Sequence, residues 1–340
     1  MLRLPQFEIE APASLSEAIA LLKKHGPDAL VIAGGTDLVP NLKHELFAPK
    51  VLVSLGDIGE LRGIEPTPDN GLRIGATTPL ADIAADVRVR ERTPALSQAA
   101  SLVAGPQQRR MGTIGGNVML DTRCQWYNQT HFWRQALGYC LKKDGTVCHV
   151  IESGKKCVAA ASNDTAPALM TLGAILEIEG PKGHREVPVD DFWLSDGIYN
   201  KKLEGNEILA GIRIPPTIDG HRGAYGKLRD RGSIDFPLLG IAVRLDTDPD
   251  GAVSAVDMVI IALQARPVRV KGLAGVLAGT VPGTDQFNEA VRACAGIAEK
   301  RCRPMPNIPG DADYRHAMVP VYARRTLLAA AEGNGPVHHI

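Results

Sequence analysis

An excess of charge of either sign is missing from this 340-residue chain, in which 38 Lys and Arg balance 38 Asp and Glu. The balance argues against a protein drawn by bulk electrostatics to nucleic acid or to an anionic membrane surface. Long hydrophobic runs are missing too, and every apolar stretch falls far short of the ~20 residues that cross a bilayer. Met1 to Glu8 carry early charge and no apolar core, so no signal peptide is expected and the expected compartment is the cytoplasm. There is no internal repeat and no low-complexity tract. The six cysteines include no close pair, and in a reducing compartment clustered cysteines are ligands more often than disulfides. A chain of this length divides into two or three domains.

What is present begins with two glycine-rich runs. Gly112-Thr113-Ile114-Gly115-Gly116-Asn117 and Ala33-Gly34-Gly35-Thr36-Asp37 each combine paired glycines with a threonine. Glycine lets backbone N–H groups approach an anion with no Cβ in the way, and successive N–H groups can form an anion-binding nest. Either run alone reads as an ordinary tight turn; together they read as two walls gripping one dinucleotide diphosphate. Neither has the spacing of a Rossmann fingerprint or a Walker loop, which disfavours classical nicotinamide binding.

Around these runs, Ser14 or Ser16 starts a helix that ends near His25-Gly26-Pro27, and a buried strand over 29–33 delivers the first glycine turn. Asp37 either bonds a ribose or flavin edge or caps the next turn. Strands follow at 51–55 and 72–76, then helices over 81–87 and 93–103. Thr77 and Thr78 either face the cofactor or cap a helix. A helix over 168–176 runs into a strand at 174–178, and prolines and turn residues over 215–220 mark a domain boundary. Beyond it come strands at 240–245 and 256–263 and helices at 268–277, 286–298 and 314–331. Cys294 and Cys302 read as core or surface thiols. The tail, 333–340, reads as loose, and its His338-His339 pair is too short for a metal site.

In order, Ala33-Gly-Gly-Thr-Asp-Leu38, Ile74-Gly-Ala-Thr-Thr78, Gly112-Thr-Ile-Gly-Gly-Asn117, Ser162-Asn-Asp164, Tyr225-Gly-Lys227 and Asp311-Ala-Asp-Tyr-Arg315 resemble the FAD-binding subunits of the molybdenum hydroxylase family, to which xanthine and carbon monoxide dehydrogenases belong. The resemblance spans nearly the whole chain. It implies an α+β fold, with a two-subdomain FAD-binding domain (1–219) followed by a C-terminal α+β domain (220–332) of a small antiparallel sheet and helices. It implies FAD held by Ile32, Ala33, Gly34, Gly35, Thr36, Asp37 and Leu38, by Thr77 and Thr78, and by Thr113, Gly115, Gly116 and Asn117. Asp164 contacts the cofactor and Lys227 lies beside the flavin by the same resemblance; read without it, Lys227 is a solvated strand residue.

One departure is large. Asn117 and Asp164 stand 47 positions apart, and the stretch between them, 118–161, holds Cys124, Cys140, Cys148 and Cys157. A polar insertion of this length needs a cross-link or metal to fold. The spacings, with 15, 7 and 8 intervening residues, match neither zinc ribbons nor ferredoxin runs. Four thiolates complete a [4Fe–4S] cluster or a tetrahedral zinc site, and His131 and His149 leave a mixed zinc site open. A cluster beside a flavin gives the insertion a purpose, which favours the cluster. Trp126, Tyr127, Phe132, Trp133 and Tyr139 supply five of the fifteen aromatics of the chain, and they read as packing for the insertion.

The insertion makes the chain similar to the β subunits of 4-hydroxybenzoyl-CoA reductases. That resemblance implies a [4Fe–4S] cluster on the four cysteines and electrons passing from a ferredoxin-like donor to cluster and FAD. From there they would reach [2Fe–2S] and molybdenum centres on a small iron–sulfur subunit and a large molybdopterin subunit, in a dimer of heterotrimers that removes the phenolic hydroxyl as water. An independent flavin oxidase and a zinc-stabilised binding module are the rival expectations.

Overall fold

The computed structural model describes residues 2–338. The N-terminal subdomain runs β1 (Glu8–Glu10), α1 (Leu15–His25), β2 (Ala29–Ile32), α2 (Leu38–Lys43) and β3 (Val51–Ser54), with the strands in a parallel sheet of order β1-β3-β2. Ser14 caps α1 by accepting the Glu17 amide at 3.3 Å, as its position before the apolar period predicts. The strand expected to be buried over 29–33 is buried only at Ala29. Its later side chains line a cleft instead of a core.

The middle subdomain comprises β4 (Ile64–Pro66), β5 (Leu72–Gly75), α3 (Leu80–Ala85), α4 (Val87–Arg92), α5 (Pro94–Ser101), α6 (Pro106–Met111) and α7 (Ile114–Val118). It continues with α8 (His131–Leu137), α9 (Thr165–Thr171), β6 (Ile175–Gly180), β7 (Gly183–Pro188) and β8 (Ile208–Ile214). Its sheet has order β4-β5-β8-β6-β7 and is antiparallel throughout.

The C-terminal domain holds β9 (His221–Leu228), β10 (Leu239–Thr247), β11 (Val253–Ile261), β12 (Val268–Arg269), α10 (Ala274–Leu277), α11 (Asp285–Arg301), α12 (Ala312–Glu332) and β13 (Val337–His338). Its central strands are buried on both faces because side chains alternate between two cores. Tyr225, Ala242, Val259 and Ile261 face the middle subdomain, whereas Ala224, Ile241, Val243 and Ile260 pack under α11 and α12. This sheet is therefore a shared wall.

Two expectations change here. The helix read over 268–277 is a strand, β12, followed by the short α10, because Val268 and Arg269 pair with Ile260 and Val259 at the sheet edge. The tail read as loose contains β13, which pairs in parallel with Gly226 and Lys227 of β9. His339 lies outside the described residues. Cys294 and Cys302 are both fully buried core thiols. Among the described residues, no helix is long and apolar enough to cross a membrane.

Candidate functional site

Between the N-terminal and middle subdomains lies a cleft of two lobes, about 470 and 440 Å³, which share Val31, Ala33, Thr113, Gly116 and Met119 in their walls. The loop between β2 and α2 forms one side. Gly35 has φ +69°, a left-handed conformation that favours glycine. A Cβ on Gly34 would fall on the Met111 carbonyl oxygen, so the first glycine loop and the end of α6 meet backbone to backbone. The amides of Gly34, Gly35, Thr36 and Asp37 have no hydrogen-bond partner among the described residues. They are four consecutive donors at the cleft.

The second glycine run behaves differently, which corrects the expectation of a nest there. It winds into α7 with Thr113 as its cap, so the amides of residues 114–117 are already used. Ile114 donates to Thr78 O at 3.0 Å, Gly115 to Ala76 O at 2.8 Å and Asn117 to Thr113 O at 2.9 Å. Gly116 donates to Thr113 Oγ1 at 3.0 Å. This run supplies close approach rather than free donors. A Cβ on Gly115 would stand 2.7 Å from Ala76 O, against the end of β5, while one on Gly116 would meet only Thr113 Oγ1.

Ile32, Ala33, Gly34, Gly35, Thr36, Asp37, Leu38, Thr113, Gly116, Asn117 and Asp164 all line the larger lobe. Thr77 and Gly115 line the smaller one. Thr78 borders neither lobe, because its hydroxyl is spent on Gly63, accepting from the amide at 3.0 Å. Thr77 Oγ1 donates to Leu61 O at 2.9 Å. Asn117 Oδ1 accepts from Thr165 N at 3.0 Å and so ties α7 to the start of α9, beside Asp164.

Asp164 is fully buried at the wall of the larger lobe and takes Tyr225 Oη at 2.8 Å and Lys227 Nζ at 3.2 Å. Burial pushes its carboxyl above the usual range, outweighing the pull of Lys227 and of the Tyr225 hydroxyl. Lys227 is 0% exposed, not solvated as its strand position suggests. It also donates to Leu102 O at 2.9 Å and sits one layer behind the cleft wall. Residues 225 and 227 reach Asp164 together because alternate strand positions share a face.

The insertion packs against this cleft. Cys124, Cys140, Cys148 and Cys157 are all buried and all line one cavity of about 20 Å³, room for about one water molecule. Among the described residues, no three His, Cys, Asp or Glu side chains stand close enough together to hold a single metal ion. Burial pushes the Cys124 thiol up to about 12 and raises Cys157 as well. Lys142 spans the cavity rim, donating to Asp121 Oδ1 at 2.8 Å and Gly197 O at 2.7 Å. Gly197 covers Cys157 so closely that a Cβ there would stand 2.6 Å from Sγ. His149 lines the same cavity as the four thiols, with Nε2 2.6 Å from Tyr139 O, whereas His131 does not and its Nε2 stands 3.4 Å from Tyr139 Oη. Trp126 and Tyr127 pack around the cavity, but Phe132 is 80% exposed.

Sequence reasoning did not single out Arg123, Phe236 or Lys142. Arg123 pairs with Asp37 and its guanidinium carbon stands 4.1 Å from the centre of the Phe236 ring, a residue that lines the larger lobe. Asp37 is thus neither a simple cap nor a free ligand; its carboxylate is held by Arg123 and by Asn41 Nδ2 at 2.9 Å. Only the place of Arg123 next to Cys124 marks it in the sequence.

Residues 5–217 match the FAD-binding domain of molybdopterin dehydrogenases, and residues 223–330 match the C-terminal domain of carbon monoxide dehydrogenase flavoproteins. The carbon monoxide dehydrogenase medium chain of Hydrogenophaga pseudoflava is 33% identical over 96% of this chain and 97% of its own length. The aldehyde oxidoreductase FAD-binding subunit of Escherichia coli is 33% identical over 69% of this chain and 76% of its own. The solved carbon monoxide dehydrogenase of H. pseudoflava superposes with a TM-score of 0.78 at 32% identity, covering 98% of this chain and 100% of that one. With the cleft, its free loop amides and this agreement over both domains, the chain belongs to the family of FAD-binding subunits of the molybdenum hydroxylases.

Proposed function

We propose that the chain is the flavin and iron–sulfur electron-transfer subunit of a molybdenum-containing reductase of the 4-hydroxybenzoyl-CoA reductase type. Bound FAD supplies electron exchange between one-electron and two-electron partners. The free amides of residues 34–37 would hold its diphosphate. Asp164, backed by Tyr225 and Lys227, fixes the wall of the larger lobe.

The observation that carries the reductase reading is the convergence of Cys124, Cys140, Cys148 and Cys157, from four separate points of the insertion, on one buried cavity. All-thiolate donor sets suit a [4Fe–4S] cluster or zinc. Zinc with bonds of about 2.3 Å would need the four sulfurs in one tight tetrahedron, and neither that arrangement nor a ligand set for a cluster is assembled among the described residues. Cys124, Cys140, Cys148 and Cys157 are the residues that would hold a cluster, which would supply one-electron exchange beside the flavin. The Lys142 ammonium beside the rim offsets the negative charge that such a group brings.

An independent oxidase needs a free general base at the flavin. The carboxylates lining the larger lobe, Asp37, Asp121, Asp164 and Asp235, are engaged by Arg123, Lys142, Lys227 and Arg229 respectively. That favours electron transfer over substrate chemistry in this chain. The substrate then binds on a molybdopterin-bearing large subunit, with a small [2Fe–2S] subunit between and a ferredoxin-like protein as donor, in a cytoplasmic dimer of heterotrimers.

Iron, sulfide and zinc analysis of the anaerobically purified complex tests this reading. About four iron and four sulfide per chain are expected beyond the partner's [2Fe–2S] content, falling to none in Cys140→Ser with FAD retained. One zinc and no sulfide on this chain would overturn it.

A further inference from the structure

Arg123 occupies a place that neither the cleft nor the cysteine cavity explains alone. Its backbone exchanges hydrogen bonds with Ala160 in both directions, each at 2.7 Å, at the neck of the insertion. The next residue is Cys124. Its side chain runs the other way, to the Asp37 carboxylate on the first glycine loop, with Nη1 3.5 Å from Asn41 Oδ1. The guanidinium carbon stands 4.1 Å from the centre of the Phe236 ring, and both Asp37 and Phe236 line the larger lobe. Nε is buried with no partner. A side chain kept at that cost, gripping one carboxylate while stacking on one ring, uses two properties that arginine combines and lysine does not.

We propose that Arg123 is a positioning residue that couples the four-cysteine insertion to the FAD cleft. Order at the cysteines fixes the Arg123 backbone, and the guanidinium carries that order to the Asp37 loop and the Phe236 wall. Coupling of this kind is reciprocal, so FAD in the cleft tightens the insertion as much as an ordered insertion tightens FAD. The inference rests on FAD occupying the larger lobe and on the cysteines forming one site.

The test is the rate of FAD release from the purified complex, followed by the rise in flavin fluorescence, with far-UV circular dichroism to confirm folding. Arg123→Gln should speed release about tenfold, within the usual range of coupling energies. Arg123→Lys should recover only part of this, because it restores the ion pair and not the stack. Phe236→Leu, which spares the pair, should give a smaller acceleration in the same direction. The double variant Arg123→Gln, Asp37→Asn should be no worse than Arg123→Gln alone, as groups acting as one unit are not additive. Cys140→Ser should speed release several-fold in the wild-type background and leave it unchanged in Arg123→Gln. Wild-type release from a folded Arg123→Gln, or an equal effect of Cys140→Ser in both backgrounds, would overturn the coupling. Failure of the underlying reading looks different: wild-type protein would then bind no FAD at all, or Cys140→Ser would leave its metal content intact.

Discussion

Lys227 Nζ and Asp164 Oδ2 meet at 3.2 Å with 0% and 3% of their side chains exposed, and the carboxylate is the one that borders the cleft. Removing one partner of a buried pair strands the other. Lys227→Met should therefore destabilise the protein by about 3–5 kcal/mol and reduce bound flavin. Tyr225→Phe, which takes away only the 2.8 Å hydroxyl bond, should cost about 1–3 kcal/mol. Urea unfolding midpoints and flavin content per chain check both. A Lys227→Met protein as stable as wild type would show that the pair is dispensable.

The paired glycines should separate into different roles on substitution. Gly116→Val projects into the cleft and should abolish FAD retention in a folded protein. Gly115→Val drives a side chain into the end of β5, so it should lower stability first and lose flavin as a consequence. Gly34→Ala forces the first loop away from Met111 and should weaken FAD and unfold more easily together. Thermal unfolding beside flavin absorbance distinguishes the three.

Lys201 lines the smaller lobe, donates to Asn200 Oδ1 at 2.7 Å and is pulled down to about 8, chiefly by burial. In the unfolded chain it titrates near 10.4. Between about pH 8 and pH 10 the unfolded state therefore holds a proton that the folded state has lost, and stability from this group rises with pH. Below about pH 8 both states are protonated and its contribution no longer changes. Stability of Lys201→Met against pH should lack this rise, and identical slopes in the two proteins would refute the assignment.

Cys294 and Cys302 provide the control for the cysteine cavity. Both are buried in the C-terminal core, far in sequence from the insertion. Cys294→Ala should cost about 1 kcal/mol through lost packing and leave metal content at the wild-type value. Inductively coupled plasma analysis of the variant checks it.

The first glycine loop and most strands were legible because turn chemistry and apolar period are local signals. Even there the chemistry was divided unevenly. The sequence Gly-Gly-Thr-Asp keeps its amides free, while Thr-Ile-Gly-Gly spends its own because Thr113 starts a helix, and no spacing rule separates those outcomes. Lys227 reads as solvated because burial of an ammonium depends on Asp164, 63 positions away, and on a sheet covered on both faces. Val268 and Arg269 read as part of a helix, yet the β-branched Val268 and its neighbour pair with the edge of β11. Arg123 could not be read at all: its partners Asp37 and Phe236 lie 86 residues before and 113 after it, and they meet only in the folded chain.

The two-way backbone bridge between Arg123 and Ala160 closes the insertion at a narrow neck. Everything between them leaves and re-enters the framework at nearly one point. In evolutionary terms such a stem is a grafting site, where a whole module can be gained, lost or exchanged at a single joint of the chain. Joining residue 123 to residue 160 through a two-residue turn would accordingly yield a pared-down flavoprotein whose glycine loops keep their register.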